Sequence, residues 1–85
     1  MENVISSVYP NPMVESSTVI LSEEIVNSHE NLFWELISID GKLMRSEKIS
    51  SENFTISRND TPSGIYFLSV KSQDAILGNK KIIIN

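Results

Sequence analysis

The chain has 85 residues, eleven acidic and seven basic side chains, a formal net charge of −4 and no cysteine. Disulfides and thiolate metal sites are thereby excluded, and the acidic balance argues against nucleic acid as a partner, since that binding needs a basic face. No apolar run approaches the ~20 residues of a membrane-spanning helix, and Met1-Glu2-Asn3 lacks the basic start of a signal peptide.

Residues 1–85 read as one domain, with 1–7 as a linker or its junction with the first strand. Seven short strands are predicted, rich in β-branched and aromatic residues that suit a pleated, half-buried surface. The first covers residues 4–9 and stops at Pro10 and Pro12, which fix φ and remove two backbone donors. The second, 17–22, alternates Thr18 and Ile20 with Val19 and Leu21. That period of two makes SSTVILSEEIV a better strand than helix.

A serine- and asparagine-rich loop, NSHEN (27–31), leads into the third strand, 32–39, which is apolar on both faces. Such a strand is expected to be central, with a second surface to cover. Asp40-Gly41 predicts a type I′ hairpin turn into the fourth strand, 42–49. The fifth, 53–57, alternates Phe54 and Ile56 with Asn53, Thr55 and Ser57.

Thr61-Pro62-Ser63-Gly64 then forms a turn against the sixth strand, 65–71, whose stretch 65–70 is again expected to be buried on both faces. Gly64 permits a backbone conformation that residues with a Cβ disfavour. A looser connection, 71–81, has Gly78 and Asn79 as breakers before the seventh strand, 80–84. Turn signals every ~8–12 residues predict an all-β fold, a seven-stranded antiparallel β-sandwich of immunoglobulin-like type.

Residues for chemistry are sparse. His29 is the only histidine, and a triad or metal site needs further ligands that the sequence lacks. Glu23-Glu24 and the turn aspartates Asp40, Asp60 and Asp74 show neither the spacing of an acid–base pair nor a calcium-loop pattern. Turn aspartates ordinarily hydrogen-bond their own backbone. Trp34 and Tyr66 are the aromatics that a carbohydrate platform would need, and both fall inside predicted central strands, where large aromatics form core. Asn53-Phe54-Thr55 and Asn59-Asp60-Thr61 are sequons better read as strand and turn. The reading is a protein without enzymatic activity, cofactor or metal.

Four elements fall in a fixed order: VYPNP (8–12), LISIDGKLM (36–44), TPSGIYFLSV (61–70) and GNKKIIIN (78–85). Together they resemble the C-terminal sorting domain of the type IX (Por) secretion system of Bacteroidetes, type A. That family opens on a Tyr-Pro-Asn-Pro element, carries a central Gly-Lys or Gly-Arg hairpin, has Leu-Pro-x-Gly-x-Tyr as its signature and closes on a lysine-bearing strand. The motifs map onto Tyr9, Pro10, Asn11 and Pro12, onto Gly41 and Lys42, onto Pro62, Gly64 and Tyr66, and onto Lys80 and Lys81. Thr61 stands where the family prefers leucine, which predicts one weaker core contact. Asn85 stands where many members have a basic residue.

The resemblance implies an address label on a larger exported protein. Its implied partners are the outer-membrane translocon and shuttle proteins of the type IX system, a cell-surface cysteine-peptidase sortase that removes the label, and an N-terminal cargo domain. The implied route runs from periplasm to outer membrane, cell surface or medium. An adhesive or carbohydrate-binding sandwich appended to an exported enzyme is the alternative. The closing strand, short and lysine-marked, is expected to be an edge strand that a partner sheet can extend by β-augmentation.

Overall fold

Alternating apolar and polar residues set the two faces of each strand in the computed structural model, which describes residues 4–28, 31–73 and 75–85. His29 and Asp74 lie outside the described residues. The strands are β1 (Ile5–Tyr9), β2 (Ser16–Leu21), β3 (Leu32–Ser38), β4 (Leu43–Ile49), β5 (Asn53–Ser57), β6 (Gly64–Lys71) and β7 (Ile76–Ile84). They form a three-stranded sheet in the order β1-β2-β5 and a four-stranded sheet in the order β4-β3-β6-β7, with all strand pairs antiparallel. An immunoglobulin constant-type sandwich sets its first, second and fifth strands against its third, sixth and seventh. This chain does the same, with β4 placed beside β3 on the larger sheet.

The core lies between the sheets. Val8, Val19, Leu21 and Ile56 face it from the smaller sheet, and Leu36, Leu68, Val70, Ile82 and Ile84 from the larger. Met13, in the connection between β1 and β2, is fully buried in the same cluster. Trp34 is also core, at 4% exposure. Its ring stacks on Phe54 of β5 with centroids 6.1 Å apart and planes 8° from parallel. The Arg45 guanidinium covers it at 5.3 Å, a distance at which the ring quadrupole attracts a cation.

Four details differ from the sequence reading. A short helix, α1 (Glu23–Ser28), follows β2 and packs Ile25 and Val26 against the core. Six residues are too few for a helical period to show, but Glu23 and Glu24 suit a helix N-terminus. The β3–β4 hairpin is not type I′, because Gly41 is at positive φ (91°) while Asp40 is not. The Gly41 N–H donates to the Ser38 carbonyl at 2.9 Å, and the Ser38 N–H donates to the Lys42 carbonyl at 2.8 Å. This is a three-residue loop ending in a left-handed glycine, and it takes Ile39 out of the strand. Asp40 accepts a hydrogen bond from the Ser38 hydroxyl, which holds its carboxyl below the ordinary carboxylate value.

Gly78 and Asn79 do not break the chain. They lie inside β7, opposite Val70 and Ser69, past a register shift between Val70 and Lys71. A glycine beside a bulge is tolerated on an edge strand, where only one neighbour depends on it. Finally, β3 and β6 are not buried on both faces. Phe33 and Ile37 are half-buried on the outer face of the larger sheet, and Ile65 and Phe67 are exposed there. Among the described residues no element covers them.

Candidate functional site

Strand register brings the four sequence elements to one end of the sandwich. The end of β3 pairs with the start of β6, Ser38 opposite Tyr66, so the Gly41-Lys42 hairpin lies beside the Pro62–Gly64 turn. Gly64 in turn pairs with Ile84, which brings the end of β7 to the same place. The segment after β1 arrives there as well, since Met13 forms a short parallel bridge with Ile84. Lys80 and Lys81 lie further along β7, opposite Leu68 and Phe67, and both are exposed.

The Tyr-Pro-Asn-Pro element works through Asn11. Both of its proline bonds, Tyr9-Pro10 and Asn11-Pro12, are cis. The Asn11 side-chain amide donates to the Lys81 carbonyl at 2.9 Å, and its oxygen accepts the Ile83 N–H at 2.9 Å. Two residues on, the Met13 N–H donates to the Ile83 carbonyl at 2.7 Å, and the Met13 carbonyl accepts the Asn85 N–H at 2.8 Å. Residues 11–13 therefore occupy the outer edge of β7 from Lys81 to Asn85. β7 is an edge strand, as expected, but its last half already has a partner.

The Pro-Ser-Gly-Ile-Tyr element is a tyrosine corner. Tyr66, buried near the start of β6, donates its hydroxyl proton to the Pro62 carbonyl at 2.7 Å. This is the bond by which the sixth strand of immunoglobulin-type sandwiches fixes the preceding corner. Gly64 adopts φ 157°, and a Cβ there would rest on the Tyr66 ring at 3.7 Å. Removing only the hydroxyl, in Tyr66→Phe, is expected to cost about 1 kcal/mol. Urea denaturation measures it, and an unchanged midpoint would show that the corner bond contributes nothing.

Arg58, which the sequence reading did not single out, joins two of the elements to the segment that follows the first. Its guanidinium donates to the Val14 carbonyl at 3.2 Å, to the Ser63 hydroxyl at 3.1 Å, to the Thr61 carbonyl at 3.3–3.4 Å and to the Asn85 carbonyl. Thr61, in the family's leucine position, is buried and closes its own turn by donating its N–H to the Arg58 carbonyl at 2.9 Å. The one available signal for Arg58 was isolation: it is the only basic residue between Lys48 and Lys71.

The profile of the secretion system C-terminal sorting domain matches residues 7–85, from the middle of β1 through the last residue. The chain belongs to that family. No curated protein matches it. Sorting domains of this family are secretion signals of the type IX system, and the match spans every element that meets at the Arg58 end. Among the described residues no three histidine, cysteine or carboxylate side chains group as metal ligands would, and no helix is long and apolar enough to cross a membrane. Trp34, which an aromatic binding platform would need on the surface, is part of the sorting domain's core.

Proposed function

We propose that this sorting domain directs a larger cargo protein, attached at its N-terminal side, from the periplasm through the outer-membrane type IX translocon. Machinery of that system reads the domain folded, at the end where its four elements meet. A cell-surface cysteine-peptidase sortase then separates cargo from label by cutting at or before residues 1–7. The observation that carries this reading is the convergence of Asn11, Gly41, Tyr66 and the end of β7 on one end of the sandwich. Short segments far apart in sequence become one surface only in the folded state.

Several of the site residues act first on backbone geometry. Pro10, Pro12, Pro62, Gly41 and Gly64 shape loops, while Asn11 and Tyr66 fasten them. Tyr9 and Lys42 stand exposed at that end, and Lys80 and Lys81 stand exposed along β7. These four are the side chains offered to a partner. Fusing residues 1–85 to a periplasmic reporter in a type IX-competent host is expected to move the reporter to the cell surface or medium. A reporter that stays in the periplasm would overturn the proposal.

A further inference from the structure

The outer face of the four-stranded sheet is apolar without a cover. Across the strands, register aligns Leu43, Ile37, Phe67 and Lys81 in one row and Lys48, Phe33, Lys71 and Ile76 in another. Ile65 and Ile83 form a further apolar pair beside the first row. Leu43 is 52% exposed and Phe67 38%. Of the seven exposed large hydrophobic residues among those described, Leu43, Ile65, Phe67 and Ile76 lie on this face and Ile39 lies in the hairpin that ends it.

The charges on this face are mostly positive. Lys48, Lys71 and Lys81 project from it, with Glu35 as the single carboxylate among the described residues, and Glu35 is paired to Lys71 at 3.3 Å. Among the described residues neither Lys48 nor Lys81 has a carboxylate partner. Six of the chain's seven basic residues belong to the strands and hairpin of this sheet, in a chain whose net charge is −4. Arg58, the seventh, faces backbone carbonyls and a hydroxyl.

We infer that this sheet face docks on a protein surface that is apolar at its centre and acidic at its margin. The inference rests on the sorting reading and adds a second contact region beyond the Arg58 end. A second copy of the chain is a poor occupant in either geometry. Face-to-face pairing sets lysine against lysine. Head-to-tail pairing sets the apolar rows against the outer face of the smaller sheet, where Ile20 and Tyr9 lie among Ser7, Thr18, Asn53, Thr55 and Ser57. A lipid surface suits it less, because the apolar side chains stand level with the lysines across a sheet about 15 Å wide. Membrane-inserting residues protrude from loops or lie along an amphipathic helix. Burying the apolar rows supplies affinity, and the unpaired lysines supply orientation and partner choice.

Two variants test this in the reporter fusion, Lys48→Glu with Lys81→Glu and Leu43→Ser with Phe67→Ser, with Lys81→Glu alone as the control for the role already proposed for that lysine. Neither pair lies in the core, so thermal denaturation of each isolated domain is expected to stay close to that of the parent. Export of both fusions is expected to fall at least about tenfold. If deleting the whole domain leaves export unchanged, the sorting reading fails. If deletion stops export while both folded variants export normally, the sorting reading stands and the docking face is wrong. Sedimentation velocity of the isolated domain showing dimers that the lysine reversals dissolve would assign the face to self-association and overturn the inference. So would cosedimentation with phosphatidylglycerol vesicles that the same reversals abolish.

Discussion

Trp34→Ala is expected to remove about 3–5 kcal/mol of stability, the range for a buried tryptophan cut to alanine. A domain of this size holds about 4–13 kcal/mol in all, so the variant should sit close to its unfolding threshold at room temperature. The loss has two sources. Trp34 fills the space between β3 and β5 by stacking on Phe54, so its removal opens a cavity across the two sheets. Arg45 also loses the ring beneath its guanidinium, although its bonds to the Ser57 carbonyl and to Glu47 survive. Thermal denaturation is expected to show a midpoint lowered by more than about 12 °C. Trp34→Phe keeps an aromatic against Phe54 and should recover most of that loss. A midpoint lowered by less than about 4 °C in Trp34→Ala would mean that the ring is not core. It would also restore the surface-platform reading.

The sandwich was legible because its signals are local. Alternation at Val19 and Leu21 and at Phe54 and Ile56 set strand faces, and Pro10 and Pro62-Ser63-Gly64 marked corners. What sequence concealed was long-range. Asn11 reads as one residue of a turn, yet its two bonds run to residues some seventy positions away. Arg58 reads as an ordinary surface cation, and only folding brings Val14, Thr61, Ser63 and Asn85 within its reach. Gly78 misled because a breaker in a central strand is harmless at an edge. The double apolar character of β3 and β6 was read as burial on both faces, and Ile65 and Phe67 stand exposed instead, because apolar residue types alone do not tell a covered face from an open one.

The family motifs gain a physical meaning from this. Pro62, Gly64 and Tyr66 make a corner found in sandwiches with no secretory role, so their presence in a sorting signature reflects what it takes to build this end of the sandwich. The closing lysines differ, since their side chains are exposed and fix no loop. Removing residues 80–85 would also remove Ile82 and Ile84 from the core, so export lost on truncation would report unfolding. Charge substitutions at Lys80 and Lys81 keep the strand and are the cleaner probe.

Asn11→Ala combined with Arg58→Ala is expected to free the end of β7 at a cost of about 2–4 kcal/mol. Asn11 contributes two neutral hydrogen bonds to an edge strand, and Arg58 contributes charge-assisted ones that solvent partly replaces. Asn11 holds Lys81 and Ile83 of β7 and Arg58 holds Asn85 just beyond the strand, so the two effects fall on one short segment and should not add. Hydrogen exchange separates this from general destabilisation. The Ile83 amide, held by Asn11, and the Asn85 amide, held by Met13, are expected to exchange at least about tenfold faster. The amides of β3 should change only as global stability does. Equal acceleration throughout would mean that no local latch exists. The latch bears on the proposed recognition, because a partner strand can extend β7 beyond Lys81 only by displacing residues 11–13. In the reporter fusion, a latch that protects the edge until engagement predicts that the folded double variant is exported at least as well as the parent. A latch that forms part of the recognised surface predicts lower export at equal folded fraction.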